Sequence, residues 1–153
     1  MRRLAFAFFC SIHLVYGQTY APIPGDIGST AIYKDSSIII AWATGATVQR
    51  GPLNIAQPGN GNASYGTDSD ALGIANGTDI VSLGDGGSAI LTFTVPIKNG
   101  PGADFAVFEN GFTDNYIELA FVEVSSDGMS YFRFPSVSEW PIIAQLSNFD
   151  YSD

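Results

Sequence analysis

Between residues 81 and 134, apolar positions recur with the two-residue period of extended chain, and almost no helical pattern is present. Residues 88–97, 104–109 and 116–124 are the three longest apolar runs. The side chains that share one face of the first run are Leu91, Phe93, Val95 and Ile97. Runs of this length joined by short turns are typical of antiparallel strands. The sequence therefore predicts an all-β fold, an antiparallel β-sandwich of the jelly-roll type.

Two segments with turn-forming residues separate these strands. Residues 84–87, Gly-Asp-Gly-Gly, supply the positive φ angles of a tight hairpin, and residues 125–128, Ser-Ser-Asp-Gly, turn the chain into a last alternating run over 129–134. The pattern yields six or seven strands, whereas a jelly roll has about eight. We therefore expect a sandwich that is incomplete at its C-terminal end, with an open sheet edge that favours self-association.

Two segments before residue 80 carry weaker signals. Residues 37–43 are rich in isoleucine and predict a strand buried on both faces. Residues 51–77 are rich in Gly, Pro, Asn, Ser and Asp, which predicts a long loop. Four apolar side chains in that loop are candidates for pinning it to the sheet: Leu53, Ile55, Tyr65 and Leu72.

The N-terminal residues have the order of a secretory signal peptide. Arg2 and Arg3 precede a mostly apolar stretch over residues 4–15, which is shorter than the about 20 residues of a membrane-spanning helix. Small or modest residues then lead to Gly17, after which we expect cleavage. The domain prediction is a signal peptide over 1–17, an irregular arm over 18–28 and a sandwich domain over 29–153. It places the protein outside the cell or on its outer surface, without a transmembrane segment in the mature chain.

Cleavage would change the chemistry that the chain can perform. The whole chain has a net charge of −9, and the loss of Arg2 and Arg3 makes it more negative by two units. This acidic balance argues against nucleic-acid binding, which needs clustered Lys and Arg. The single cysteine, Cys10, and the single histidine, His13, also leave. The mature chain therefore lacks disulfides, Ser-His-Asp or Cys-His nucleophilic sites and ordinary zinc sites.

Three stretches together resemble a group of uncharacterised exported cell-surface proteins of Gram-negative bacteria, many of which carry a type IX secretion sorting tail. They are VSLGDGG at 81–87, NGPGADFAVFEN at 99–110 and ELAFVEVSSDG at 118–128. The resemblance implies export and a surface location, but no particular chemistry. Its members usually continue past the strand at 132–134 with closing strands. The segment VEVSSDG is also similar to a hairpin of discoidin-like, galactose-binding-like jelly rolls.

The loop after residue 108 holds the candidate site. Glu109, Asn110 and Asp114 offer only oxygen ligands, the kind that calcium prefers, so they are a candidate calcium site. A solvated loop in which Asn110 and Asp114 cap turns fits the same residues. Phe112 is an apolar residue inside this polar loop, and it either tucks under the loop or meets a partner. Phe112, Asn110, Asp114 and Tyr116 are therefore the candidate ligand-binding residues.

A second acidic cluster, Asp68 and Asp70 with Asp79, lacks the glycine and distal glutamate of a calcium loop and reads as a solvated loop. These features favour a secreted or cell-surface binding or adhesion module, with a glycan or a surface protein as partner, rather than an enzyme. One alternative is a structural part of a larger surface protein without a small ligand. The other is a carboxylate-dependent glycan-active enzyme such as a glycoside hydrolase.

Overall fold

A computed structural model describes residues 24–111 and 118–136 of the chain. The described residues are mostly strand and irregular structure, with two short 3-10 helices and no α-helix, so the β-rich prediction is confirmed. The strands form two separate two-stranded sheets. The strands are β1 (Gly45–Gln49), β2 (Ser88–Thr92), β3 (Glu123–Val124) and β4 (Phe132–Arg133), and the 3-10 helices are Pro58–Asn60 and Asp68–Ala71.

The first sheet pairs β1 with β2 in antiparallel register, from Gly45 opposite Thr92 to Gln49 opposite Ser88. The alternation over residues 88–97 thus marks a real strand, but the ladder stops at Thr92, before the expected end at residue 97. The partner strand, β1, begins after the isoleucine-rich run over residues 37–43 and does not overlap it.

The strand expected over residues 37–43 is wrong. Two consecutive turns use local partners there, because Ser36 N–H donates to the Tyr33 carbonyl (2.9 Å) and Ile39 N–H donates to the Ser36 carbonyl (3.1 Å). Ile38 and Ile40 are 66% and 94% exposed, so this run is not buried on both faces. The paired strand, β1, begins only at Gly45, after these turns end.

The second sheet is the hairpin of β3 and β4, in which Glu123 lies opposite Arg133. The predicted turn at residues 125–128 is confirmed, and one carboxylate organises it. Asp127 Oδ1 accepts hydrogen bonds from the backbone N–H groups of Met129 (2.8 Å) and Ser130 (2.7 Å). These bonds lower the pKa of Asp127 to about 2, because they favour its charged form.

The other predicted strands are only partly present. Residues 104–109 run without a ladder, although the Phe105 ring packs against that of Phe134 with centroids 5.6 Å apart. Of the run at 116–124, residues 116–117 lie outside the described residues, and only Glu123–Val124 is a strand. The hairpin expected at residues 84–87 is a tight turn that leads into β2, and Gly84 and Gly86 have the positive φ angles that its sequence predicts.

The side chain of Arg50, directly after β1, forms hydrogen bonds with two other segments of the chain. The Arg50 guanidinium donates hydrogen bonds to the backbone carbonyls of Tyr65 (2.8 Å), Gly66 (2.9 Å) and Ser82. These carbonyls lie 15 to 32 residues along the chain from Arg50. The planar fork of arginine suits such a set, because its donors point in several fixed directions at once. We call Arg50 and its three acceptors the Arg50 cluster.

Backbones approach one another closely next to this cluster. Gly51 is buried, its N–H donates to the Leu83 carbonyl (2.8 Å), and its carbonyl accepts from Ala63 N–H (3.0 Å). A Cβ at Gly51 would collide with the backbone of Asp85. Gly84 has a φ of +74°, and a Cβ there would collide with Gly51. Only glycine fits such contacts.

The long loop over 51–77 is therefore held mainly by polar contacts. The Asp85 carboxylate accepts from Ile55 N–H at 2.8 Å, and Arg50 donates to the Tyr65 and Gly66 carbonyls in the middle of the loop. Four side chains were expected to pin the loop: Leu53 and Tyr65 are 57% and 60% exposed, whereas Ile55 and Leu72 are half-buried. Backbone groups of the loop thus bind charged partners, and among the described residues Ala63, which is part of the loop, is the buried apolar side chain.

Large apolar side chains are exposed along the strands. In and after β2, they are Ile90, Leu91, Phe93, Val95 and Ile97, each between 39% and 67% exposed. A similar group surrounds the β3–β4 hairpin, with Phe121, Phe132 and Phe134. Exposed large apolar side chains grouped in this way mark places where a protein meets a partner.

In the part of the chain that the structure describes, no helix has the length and apolar character that crossing a membrane would require.

Replacing Arg50 tests the cluster. Arg50→Lys keeps the charge but loses the fork, so we expect the free energy of unfolding to fall by about 2 kcal/mol, the scale of one or two lost hydrogen bonds to a charged donor. Arg133→Lys is the matched control, because the exposed ion pair of Arg133 with Glu123 contributes at most about 1 kcal/mol. Urea denaturation measures both changes, and equal effects would contradict the central role of Arg50.

The Asp127 turn should depend on pH in a defined direction. Because the folded-state pKa lies below the ordinary value of 3.8, the contribution of the turn is complete above that value and is lost as the pH falls through about 2. NMR titration of the Met129 and Ser130 amides should show this low midpoint, and Asp127→Asn should abolish the titration. A midpoint near 3.8 would show that the carboxylate does not hold these amides.

Candidate ligand-binding groove

Two adjoining cavities, of about 250 Å³ and about 190 Å³, form a groove between three segments of the chain. Lys34 lines both cavities, so we call this feature the Lys34 groove. The first cavity is lined by Lys34, Asp35, Ser36, Ile39, Trp42 and Ile74. The second is lined by Lys34, Ala75, Gly77, Asp79, Ile80, Phe108, Glu109 and Asn110.

An aromatic pair stands where the two cavities meet. The rings of Trp42, in the first cavity, and Phe108, in the second, have centroids 5.5 Å apart and planes tilted by 37°. This is a common attractive geometry for two aromatic rings. Trp42 belongs to the run over residues 37–43, for which the sequence predicts burial on both faces, but the residue is only half-buried and lines the first cavity.

Lys34 and Asp35 supply charge at the junction. The Lys34 ammonium lies 3.1 Å from each carboxylate oxygen of Asp35, and 5.9 Å from the centroid of the Tyr33 ring. Hydrogen bonds from Lys34 and Tyr33 lower the pKa of Asp35, so this carboxylate stays charged at neutral pH. The tight turn at Tyr33 and Ser36 places this pair at the rim of the groove.

A second wall of the groove is built by a side-chain turn. Asn76 Oδ1 accepts from the backbone N–H groups of Thr78 and Asp79, each at 2.8 Å. Asn76 Nδ2 in turn donates to Asp79 Oδ2 at 2.7 Å. Gly73 N–H donates to the Ala43 carbonyl. This bond joins the segments that carry Ile74 and Trp42, two residues that line the first cavity. Asp79 also lines the second cavity.

Glu109 is a groove residue whose pKa is raised. Burial raises the pKa of Glu109, and repulsion from Glu118 raises it further, while a hydrogen bond from the Glu118 backbone N–H partly opposes the change. Glu109 and Glu118 are therefore neighbours, although eight residues separate them in the chain. A carboxyl group of this kind exchanges its proton closer to neutral pH than an exposed glutamate does.

Two of the sequence-predicted site residues, Glu109 and Asn110, line the second cavity. Phe112, Asp114 and Tyr116 lie outside the described residues. The candidate calcium site therefore has two of its three members in the groove. Over residues 24–111 and 118–136, no group of three or more acidic, histidine or cysteine side chains is placed to hold a metal ion.

The second acidic cluster is engaged within its own loop. Asp70 accepts from Thr67 N–H at 2.7 Å and forms a capping box at the start of the short 3-10 helix. Asp68 accepts from Val48 N–H of β1 at 3.3 Å. Both carboxylates thus stabilise the loop itself, while Asp79 belongs to the groove.

Sequence reasoning missed Lys34, Asp35 and Phe108 as groove residues. The segment over 29–35 fits both helix and strand, which gave no reason to place a site there. A usable signal was the rarity of basic residues, because the chain has only six Lys and Arg against fifteen Asp and Glu. A lysine within so acidic a chain is a candidate for a specific position.

Comparison with known proteins found no match among family models, curated proteins or solved structures. The assignment of a function therefore depends on the groove and on the sequence pattern.

Neutralising Glu109 should stabilise the protein at neutral pH. Because the folded state raises the pKa of this group above its ordinary value of 4.5, charging it opposes folding at pH 7, and protonation relieves that cost as the pH falls. Glu109→Gln should therefore melt at a higher temperature than the wild type at pH 7, and the gap should close below pH 4.5. Glu123→Gln, which loses an ion pair with Arg133, should give no such gain. A lower melting temperature for Glu109→Gln at pH 7 would contradict this account.

Proposed function

We propose that this protein is exported and acts at the cell surface as a binding module whose ligand is a carbohydrate chain, held in the Lys34 groove. The observation that carries the proposal is the Trp42–Phe108 pair between two cavities with polar rims. Aromatic faces pack against the apolar C–H faces of sugar rings, while polar groups around them fix orientation. Each cavity is smaller than a typical site of about 300–1,000 Å³, and the two together reach that range.

The polar groups around the aromatic pair suit a hydroxyl-rich ligand. A sugar hydroxyl both donates and accepts hydrogen bonds, so a matching site needs both kinds of partner. Lys34 and Asn110 offer donors, and Asp79 and Glu109 offer acceptors. The acidic balance of the chain, with a net charge of −9, disfavours a strongly anionic glycan. A neutral or amino-sugar chain fits these groups best.

Export and a surface location have two supports in the sequence. Residues 1–17 have the order of a signal peptide, and residues 81–128 contain the stretches that resemble exported surface proteins. The proposed scaffold is a β-sandwich, for which the two antiparallel sheets are the starting elements. Both antiparallel pairs expose apolar side chains, as sheets that face a second layer do.

Two other functions have a specific observation in their favour. The exposed apolar side chains around β2 and the hairpin would suit a structural part of a larger surface assembly. The neighbouring Glu109 and Glu118, one with a raised pKa, would suit glycoside hydrolysis, in which an acid and a second carboxylate act about 5–10 Å apart. Neither observation accounts for the aromatic pair between the cavities.

A glycan array with the exported chain tests the proposal. The wild type should bind neutral or amino-sugar chains, and Phe108→Ala and Trp42→Ala should each weaken binding at least tenfold, because each removes part of the stacking surface. Phe132→Ala is the matched control, since this exposed ring lies on β4 away from the groove. Phe112→Ala and Asp114→Ala test the loop residues, and a chelator tests the dependence on calcium.

The other outcomes separate the alternatives. Release of reducing sugar from a bound chain, lost in Glu109→Gln, would replace the binding module with an enzyme. Silence on the array together with large assemblies in light scattering would favour the structural role. Equal losses in Phe132→Ala and Phe108→Ala would show that the groove is not the site.

A further inference from the structure

The side-chain amide of Asn76 is held at both of its ends. Its Oδ1 accepts from the backbone N–H groups of Thr78 and Asp79, each at 2.8 Å, and from the Thr78 hydroxyl at 2.9 Å. Its Nδ2 donates to Asp79 Oδ2 at 2.7 Å. Because Oδ1 binds amides two and three residues ahead, the side chain folds back over the peptide bond that joins Asn76 to Gly77. The carbon Cγ of Asn76 therefore lies next to the Gly77 nitrogen.

The Gly77 nitrogen is open to this carbon. Within residues 24–111 and 118–136, its N–H takes part in no hydrogen bond. Gly77 has a φ of +80°, and a Cβ added to it would meet no atom within 4 Å, so the space around it is empty. Glycine adds no side chain that would shield its own nitrogen, and it adopts this φ without strain.

Two other Asn-Gly pairs of the chain lack this opening. Such pairs occur at residues 60–61, 76–77, 99–100 and 110–111. Gly61 N–H donates to the Pro58 carbonyl at 3.4 Å, and Gly100 N–H donates to Asp104 Oδ1 at 2.7 Å. A donated N–H fixes the orientation of its peptide, which opposes the rotation that ring closure between the two residues needs. The fold thus distinguishes Asn76 from pairs with the same two residues.

We propose that Asn76 is a site of spontaneous deamidation, where the chain converts itself to aspartate and isoaspartate through a cyclic imide. The Gly77 nitrogen loses its proton to solvent base and bonds to Cγ of Asn76, which places negative charge on Oδ1. The bond from Cγ to Nδ2 then breaks, and Nδ2 takes up protons from water and leaves as ammonia. Water opens the imide at Cγ to give aspartate, or at the main-chain carbonyl carbon to give isoaspartate. The net reaction consumes one water and releases one ammonia.

The hydrogen bonds to Oδ1 favour the first step. Donors that already point at an oxygen stabilise the negative charge that develops there in a transition state. Here two N–H groups and one hydroxyl point at the same oxygen. The folded side chain also brings the carbon and the nitrogen together in advance, which lowers the entropic cost of forming the bond.

The product would alter one wall of the Lys34 groove. A carboxylate oxygen would replace Nδ2 and face Asp79 Oδ2 at the present distance of 2.7 Å, so a hydrogen bond becomes a repulsion between like charges. Isoaspartate also adds one carbon to the main chain at this turn. Because Asp79 lines the second cavity, we expect the modification to open this wall and to make the cavity more negative.

Peptide mapping by mass spectrometry of the full chain, incubated in mildly alkaline buffer, tests the site. Asn76 should gain the mass of an amide-to-acid exchange about tenfold faster than Asn60 and Asn99, because the fold positions its nucleophile. In urea the three rates should converge, since all three are Asn-Gly pairs. Equal rates in the folded chain, or a difference that persists in urea, would overturn the proposal.

A variant and the product ratio test the chemistry. Thr78→Val removes the hydroxyl donor at Oδ1 and keeps both N–H donors, so Asn76 should react about threefold more slowly. Thr94→Val, which removes a hydroxyl far from the turn, should leave the rate unchanged. Circular dichroism verifies that both variants stay folded. An unchanged rate in Thr78→Val, or a product that contains aspartate without isoaspartate, would contradict the mechanism. None of these measurements involves a glycan, so they stand apart from the proposed function.

Discussion

The fork of hydrogen bonds from Arg50 to three backbone carbonyls is the interaction on which the described structure depends. It joins the end of β1, the middle of the long loop and the segment before β2. Next to it, the backbones of Gly51 and Gly84 approach so closely that little room is left for side chains. Polar contacts, and not apolar packing, therefore hold these segments together. Ala63 is the buried apolar side chain at this point of the described structure. A charged group in such a place is stabilising because all of its partners are acceptors.

The same arrangement supports the Lys34 groove. Ser82 belongs to the Arg50 cluster, and Ile80, two residues earlier, lines the second cavity. A backbone contact between Gly66 and Ile80 joins the cluster to the groove wall. The aromatic pair and the polar rim therefore stand on a frame whose geometry is determined by main-chain hydrogen bonds. Rigid support of this kind lowers the entropic cost of ligand binding.

Sequence reasoning succeeded where the determining chemistry is local. The turn at residues 125–128 follows from Asp127 and its two amide partners within three residues, and strand β2 follows from the apolar, β-prone run that begins after the glycine turn. It failed at residues 37–43, where turns outweighed the strand propensity of isoleucine. The Arg50 cluster could not be predicted from the sequence, because its acceptors are backbone carbonyls. Every residue has a carbonyl, so no sequence pattern identifies the three that Arg50 binds. For the groove, Glu109 and Asn110 were found through their oxygen-rich loop, whereas Lys34 was missed because the topology, not the local sequence, brings it to them.

The acceptors of Arg50 are carbonyl oxygens, and this has an evolutionary consequence. A carbonyl is retained whichever side chain its residue bears, so most exposed positions of the loop, Leu53 and Tyr65 included, are free to drift in identity. Selection would act instead on the arginine and on the few glycines packed against it. Descendants of this chain could thus diversify the outward face of the loop while inheriting an unchanged anchor.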